Sequence, residues 1–485
     1  MMQNAPVKRQ TREIPEDEIS RQYTYMARVR EFNEVGEREP GRYCYVETYG
    51  CQQNEADSET LRGMAIEMGY SICSGPEQAD LILFNTCAIR EHAEQRVFGN
   101  IGALLKYKRK KPSLVIGLCG CMAGEEHIRQ RIEKSFPYVS LVFSTHELWR
   151  FPELLFDVLI NGKRVFAAEP SNGVIAEGLP TNRDRTVKGW LPIMYGCDNF
   201  CSYCIVPYVR GRERSRRPDA ILRDARRLIE IDGCKEITLL GQNVNSYGKH
   251  LDEGVDFPQL LRMVNDLDGD FRIRFMTSHP KDANERLFQA MAESPKVSHQ
   301  LHLPFQSGSD SILKQMNRGY TAEHYLGLIR MARSYMPDLV LTSDVIVGFP
   351  GETEADFEAT MRLIEEVRYD ALFTFIFSPR KGTRAYDMAD PTPAEEKSRR
   401  FQALVDRQNA ISKEIHSGYV GKIVRVLVDG TAENKPEGYL SARTDGGRLV
   451  VFEGTADQIG TFADVEITDC TTWSLSGRQC TGDLK

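Results

Sequence analysis

From residue 43 the chain alternates two patterns: short apolar runs, and longer stretches whose apolar residues recur every three or four positions. The first reads as buried strand, the second as amphipathic helix. Strands are expected at 43–49, 81–85, 114–118 and 140–143. Helices are expected over 54–68, 91–110, 123–134 and 147–160, with Leu61, Met64, Ala65 and Met68 forming one stripe of the first. Strands alternating with helices imply βαβ units and a parallel sheet.

Residues 161–185, rich in Gly, Pro, Asn and Asp, read as a linker. A second series then places strands at 190–195, 236–240, 271–276, 300–304, 339–347 and 370–377. Helices fall between them at 218–232, 257–267, 283–293, 309–316, 321–336 and 353–367. Six β/α units fit an incomplete barrel, and an open six-stranded sheet fits the same spacing. After a charged helix over 393–416, residues 418–475 show short strands and turn signals, the texture of a small all-β barrel of the oligonucleotide-binding type. Residues 1–42 carry eight basic and eight acidic side chains. They read as a solvated arm, with a peripheral helix over 16–33 as the alternative. The expected fold class is therefore α/β: a parallel-sheet βαβ domain, a partial (β/α)6 barrel and a small all-β module. Expected boundaries are 1–40 for the charged extension, 41–158, a linker over 159–182, 183–413 and 414–480.

Composition narrows the classes. The 485 residues hold 62 Lys and Arg against 69 Asp and Glu, a net charge of −7, and are 41% hydrophobic. That excludes a disordered, collagenous or coiled-coil chain. It also speaks against bulk nonspecific binding to nucleic acid, though not against a local basic patch. No run of about 18 apolar residues offers a membrane span, and the charged start lacks the apolar core of a secretory signal. A cytoplasmic location with no membrane partner follows as the expectation. There the twelve cysteines should be thiols, not disulfides, and metal binding or catalysis competes with simple burial as their role.

Two groups of cysteines stand out. Cys197, Cys201 and Cys204 form a C-x₃-C-x₂-C directly after the first strand of the second series, where β/α barrels keep their active sites. Three closely spaced thiolates can hold three corners of a [4Fe–4S] cube, leaving one iron open. Structural zinc usually closes with a fourth ligand, and no further Cys or His lies near. The second group is dispersed: Cys51, Cys87 and Cys121 each follow an expected parallel strand, where loops of adjacent βα units converge. Cys119, two residues from Cys121, competes for the same place, and spacing does not choose between them. Cys44, Cys73 and Cys234 read as buried residues.

The C-x₃-C-x₂-C in this position resembles the radical S-adenosylmethionine superfamily. The resemblance implies that S-adenosylmethionine chelates the open iron and is cleaved by one electron to methionine and a 5′-deoxyadenosyl radical. Tyr203 matches the aromatic residue beside the last cysteine and would pack near the adenine. Gln242 and Asn243 after the second barrel strand, Ser278 after the third, Gln306 after the fourth, and Ile346 and Gly348 at the fifth are the expected cofactor contacts. His279 reads as a loop histidine.

Longer segments narrow the match. TYGCQQNEADS (48–58), NTCAIRE (85–91) and GCMA (120–123) resemble the methylthiotransferase N-terminal domain, and this pattern selects Cys121 over Cys119. Gln53 stands where that family usually has Met. The segments 196–216, 277–282 and 344–353 resemble the tRNA branch, the MiaB-type enzymes, and the last module is similar to the TRAM domain. The resemblance implies methylthiolation at carbon 2 of the isopentenylated adenosine at position 37, beside the tRNA anticodon. One S-adenosylmethionine would methylate a sulfur held on an auxiliary [4Fe–4S] cluster at Cys51, Cys87 and Cys121; a second would supply the radical that removes the hydrogen. Partners implied are the tRNA anticodon stem-loop, an electron donor such as flavodoxin or ferredoxin, and a sulfur source. Rival readings are methylthiolation of a ribosomal-protein aspartate or of threonylcarbamoyl-adenosine tRNA, and an iron–sulfur RNA-binding protein without turnover.

Two basic runs are candidates for binding phosphate: Lys106–Lys111, with five cations in six residues, and Arg210–Arg217. Against them, residues 416–485 carry seven Lys and Arg but ten Asp and Glu, so a TRAM module here must use a local cationic face or shape.

Overall fold

The computed structural model describes residues 13–34, 41–88, 91–168, 173–183, 187–433 and 435–480, with backbone alone over 91–93. The chain divides into two compact units. One is Met1–Asp184 with Met194–Phe200 and Cys204–Arg216; the other is Arg185–Ile193, Cys201–Tyr203 and Arg217–Lys485.

The first unit is built from α1 (Glu16–Glu34), β1 (Arg42–Thr48), α2 (Gln52–Glu67), β2 (Tyr70–Ile72), β3 (Leu81–Thr86), α3 (Glu91–Ala103), α4 (Leu105–Lys110), β4 (Val115–Gly120), α5 (Glu126–Ser135), β5 (Leu141–Phe143), α6 (Phe151–Asn161) and β6 (Val165–Ala167). The strands form one parallel sheet in the order β2-β1-β3-β4-β5-β6. Every residue of β3 and β4 is buried, as expected for central strands covered on both faces. Alternate side chains feed two cores. Cys44, Leu81, Leu83, Cys119, Leu141 and Phe143 enter one, and Ile82, Phe84, Ile116, Leu118 and Val142 the other.

The differences from the pattern-based expectation are local. The edge strands β2 and β6 have three residues each, too short to show alternation, and β6 lies inside the stretch read as linker. The expected helix over 91–110 is two helices. Residues 16–33 are no solvated arm: Met26 and Val29 of α1 enter the first core, and Asn33 donates to the Met68 carbonyl at 2.8 Å. The charges of α1 occupy its outer face, which is why composition alone suggests solvation. Residues 1–12 and 35–40 of the expected extension lie outside the described residues.

After β7 (Lys188–Pro192), which belongs to the second unit, the first unit takes up β8 (Met194–Tyr195), α7 (Val206–Val209) and β9 (Arg214–Ser215), with β8 and β9 antiparallel. The expected strand 190–195 is thus split.

The second unit continues with α8 (Pro218–Glu230), β10 (Glu236–Leu240), α9 (Phe257–Asn265), β11 (Arg272–Phe275), α10 (Glu285–Glu293), β12 (Gln300–His302), α11 (Asp310–Gln315), α12 (Ala322–Tyr335), β13 (Val340–Val347), α13 (Glu354–Val367) and β14 (Ala371–Ile376). β7, β10 and β11 pair in parallel, as do β12, β13 and β14, and an Ile273–Val297 bridge adjoins the two sets. Spatial order follows chain order. A doubly wound sheet needs a reversal of order, so the incomplete barrel is the arrangement found.

α14 (Ala394–Ser417) leads to β15 (Ile423–Thr431), β16 (Tyr439–Thr444), β17 (Leu449–Glu453), β18 (Phe462–Cys470) and β19 (Leu475–Gln479). These close a small barrel, β15-β16-β17-β19-β18, around Val426, Val428, Leu440, Phe452 and Val465. It is seated on the amino ends of the large barrel's strands. Lys188 Nζ meets Asp429 at 2.6 Å. Arg272 and Arg274 donate to the Thr444 carbonyl at 3.0 and 2.9 Å. Arg274 also pairs with buried Glu236 at 2.6 Å, and Arg448 pairs with Asp370. Among the described residues no helix is long and apolar enough to cross a membrane.

Candidate metal centres and cofactor site

In the first unit three strand ends bring Cys51, Cys87 and Cys121 together. Gly50 ends β1 with φ +128°, and a side chain there would lie 2.5 Å from Cys87 Cβ. Only glycine lets the two loops approach so closely. Gly120 plays the same part at β4, where φ is +90° and a Cβ would meet Asn85 and the Thr86 carbonyl. The Cys121 amide donates to that carbonyl at 2.8 Å. Asn54, fully buried, ties the loops together: its Nδ2 donates to the Thr86 carbonyl at 3.0 Å and its Oδ1 accepts from Cys51 Sγ at 3.4 Å. Burial pushes the Cys121 thiol up to about 12; Arg210 opposes this, while Cys87 and Cys51 add to it. Cys119 points the other way, into the core that holds Cys44. Ile89 and Arg90 of the second motif lie outside the described residues.

Two further residues complete this unit, one of them known from the sequence only as part of a basic run. Arg210, buried, reaches Cys121 Sγ with Nε at 3.2 Å, and Asn54 Oδ1 and Asp57 Oδ2 with Nη2 at 3.1 and 2.9 Å. His146 follows β5, the next strand end. It is buried with neither ring nitrogen bonded. Burial lowers it to about 4, helped by Arg214 and Arg210. Arg210 carries a signal in the sequence, as the first cation of the second basic run, whereas His146 carries none.

The loop from 197 to 216 begins with the second cysteine group. The Cys197 amide donates to the Gly211 carbonyl at 3.3 Å, and Arg212 grips Asp198 at 2.6 and 3.1 Å. Tyr208 is 51% exposed and meets Phe200 edge to face. In the second unit Cys201 Sγ accepts from Arg318 Nη1 at 3.3 Å. Arg318 is buried and also donates to the Pro304 carbonyl at 2.8 Å. Tyr203 and Ile346 pack into one apolar cluster with Ile312, Met316, Phe349 and Phe377.

The remaining cofactor candidates stand at barrel strand ends. Gln242 is half-buried. Asn243 donates to Asp282 at 2.7 Å, leaving its buried Oδ1 unbonded. Ser278 donates to Asn245 at 3.2 Å. The Gln306 backbone bridges to β13 through Asp344 and Ile346, each at 3.0 Å. Gly348 has a left-handed φ of +71°, and a side chain there would meet Lys397 of α14. His279 is held neutral by burial and by Arg318, Lys281 and Lys249; its Nε2 is also unbonded. Thr277, Gln306 and Asn317 hold left-handed φ of 69°, 66° and 58°. Such strain in non-glycine residues collects where a site over-determines the backbone.

The donor sets fit iron–sulfur clusters. Three thiols are the protein ligands that a cube with one open iron takes, each on a separate iron corner. A buried guanidinium beside one thiol of each group suits an anionic cluster. The orphaned Asn243 Oδ1 suits a bound amino group.

The basic runs are largely structural. Lys108 donates to the Pro112 and Leu114 carbonyls at 2.7 and 2.6 Å, and Lys111 pairs with Asp80 at 2.8 Å. Lys106, Arg109 and Lys110 stay exposed. Of the second run, Arg210, Arg214 and Arg216 are buried, and Arg216 pairs with Glu177 at 2.5 Å. These three therefore offer no guanidinium plane to a base.

Comparison with known proteins gives three matches along the chain. Residues 191–364 match the radical SAM superfamily, 43–144 the uncharacterized protein family UPF0004, and 418–479 the TRAM domain. The chain is 47% identical over 467 residues to the tRNA-2-methylthio-N(6)-dimethylallyladenosine synthase of Acetivibrio thermocellus, covering 96% of this chain and 97% of that one. It is 51% identical over 436 residues to the synthase of the same name from Alkaliphilus oremlandii, covering 89% and 91%. Among solved structures it resembles the radical S-adenosylmethionine methyltransferase TsrM of Kitasatospora setae in fold, with a TM-score of 0.52 at 14% identity over 82% of this chain and 79% of that one.

Proposed function

The chain belongs to the tRNA-2-methylthio-N(6)-dimethylallyladenosine synthase family of radical S-adenosylmethionine enzymes, and on that premise we propose how its residues divide the work. The reaction is methylthiolation of carbon 2 of isopentenyladenosine 37 in tRNA, with two S-adenosylmethionine and two [4Fe–4S] clusters. The near full-length likeness to the synthases carries this reading.

Cys197, Cys201 and Cys204 are read as ligands of the cluster that binds S-adenosylmethionine, and Cys51, Cys87 and Cys121 as ligands of the auxiliary cluster. When bound, the first supplies one-electron cleavage of the cofactor and the second supplies sulfur. The chain's part is to orient and to protect. Asn243 and Ser278 would meet the cofactor's polar end, and Tyr203 with Ile346 would offer an apolar wall to its adenine. Tyr208, exposed beside Phe200, is the platform on which a splayed base would stack. The divisions 41–158, 183–413 and 414–480 are carried forward as the working domains. A low-potential electron donor such as flavodoxin or ferredoxin and a separate sulfur source complete the system, in the cytoplasm with the tRNA.

The prenyl group adds five carbons, and at about 0.8 kcal/mol per buried CH₂ its burial contributes several kcal/mol of discrimination. Reconstituted enzyme with reductant is incubated with prenylated tRNA, unprenylated tRNA, threonylcarbamoyl-adenosine tRNA and ribosomal protein, and products are weighed by mass spectrometry. Prenylated tRNA should gain one methylthio group, at least a hundredfold faster than unprenylated. Gain on the protein or on threonylcarbamoyl-adenosine tRNA instead would overturn the substrate reading. Release of no 5′-deoxyadenosine would return the chain to a binding role.

A further inference from the structure

Arg210 lies six residues beyond Cys204 in sequence, yet its head group is buried against the other cysteine group. One nitrogen donates to Cys121 Sγ at 3.2 Å while another is fixed by Asn54 and Asp57 at 3.1 and 2.9 Å. The backbone holds it too: the Arg210 amide donates to the Val206 carbonyl and its own carbonyl accepts from Arg214, both at 2.8 Å. Ile205 and Val209 pack with Cys121 and Ala88 in one small apolar cluster. A buried cation costs desolvation energy and is kept only where its partners repay it. Asp57 alone would leave the bond to sulfur unexplained.

We propose that Arg210 is a positioning residue for the auxiliary cluster, holding Cys121 and raising the cluster's reduction potential through its N–H···S bond. Hydrogen bonds to ligand sulfur and nearby positive charge stabilise the reduced, more negative state. The proposal rests on the reading of Cys51, Cys87 and Cys121 as cluster ligands. The geometry also assigns it a reach: the loop that carries Cys197 and Cys204 carries the group that tunes the second site.

The test uses the full chain with Cys197, Cys201 and Cys204 all changed to Ala, so that the auxiliary cluster is the one observed. If this background holds no iron, the ligand reading fails before Arg210 is touched. With iron retained at about four per chain, Arg210→Gln should lower the midpoint potential, followed by electron paramagnetic resonance, by about 59 mV or more, a tenfold change for a one-electron couple. Arg210→Lys should fall between. Asp57→Asn, which spares the bond to sulfur, should shift it less than Arg210→Gln. Full iron with an unmoved potential in Arg210→Gln would overturn the proposal and leave Arg210 as the structural partner of Asp57. Loss of iron from both Arg210 variants, with unchanged circular dichroism, would overturn tuning in favour of assembly alone.

Discussion

Single side chains separate the two sites. Changing Cys197, Cys201 and Cys204 to Ala should remove about half the iron, roughly four of eight atoms, and abolish cofactor cleavage. Changing Cys51, Cys87 and Cys121 should remove the other half and spare reductive cleavage. Cys119→Ala, in the core beside Cys44, should keep all the iron and cost on the order of 1 kcal/mol. His146 gives a pH test. Its pKa is lowered from 6.5 to about 4 by burial first and by Arg214 and Arg210 next. Above 6.5 both folded and unfolded forms are neutral. As pH falls from 6.5 toward 4 the unfolded chain gains a proton that the folded one refuses, so stability drops. His146→Gln should recover about 2–3 kcal/mol of that loss, read from urea midpoints between pH 7 and pH 4.5. The convergence of Cys51, Cys87 and Cys121 was legible because each follows a strand of one parallel sheet. His146 was not, because burial without a partner leaves no trace in spacing.

Elements were legible wherever a period had room to repeat. The fully buried β3 and β4 and the barrel helices lie close to where periodicity put them. The three-residue strands β2 and β6 do not repeat anything, and α1 hides its apolar stripe under charge. Charge runs misled for a related reason: sequence counts cations, but only the fold shows which are engaged. Lys108 ties down the Pro112 and Leu114 carbonyls beyond its helix and Lys111 pairs with Asp80, while Lys106, Arg109 and Lys110 face outward. Reversing those three should flatten the plot of log affinity for tRNA against log salt by about 0.7–0.9 for each phosphate they neutralise. Lys108→Glu should instead lower the melting temperature. An unchanged slope in the triple variant would make this face a solvated one.

At the scale of the whole molecule, the small barrel is a structural partner of the large one. Arg274 joins buried Glu236 to the Thr444 carbonyl, so Arg274→Met leaves Glu236 only its longer pairing with Arg272 at 3.8 Å, at a cost of up to about 3 kcal/mol. A lowered melting temperature with unchanged iron content is the expected result. Loss of iron would mean that this seam supports the cluster loop as well.

The seat of that small barrel also dictates traffic. The small barrel covers the amino ends of the strands through Lys188, Arg272, Arg274 and Arg448. Cofactor, spent fragments and the tRNA base are therefore expected to arrive and depart at the carboxyl ends, like vehicles in a lane with no exit. A base parked at the strand ends blocks whatever lies behind it. On that placement S-adenosylmethionine should enter before the RNA, and its fragments should leave after the RNA has backed away. Labelled cofactor already bound when tRNA is added should be carried into product despite a chase of unlabelled cofactor, whereas cofactor offered to a preformed RNA complex should enter slowly.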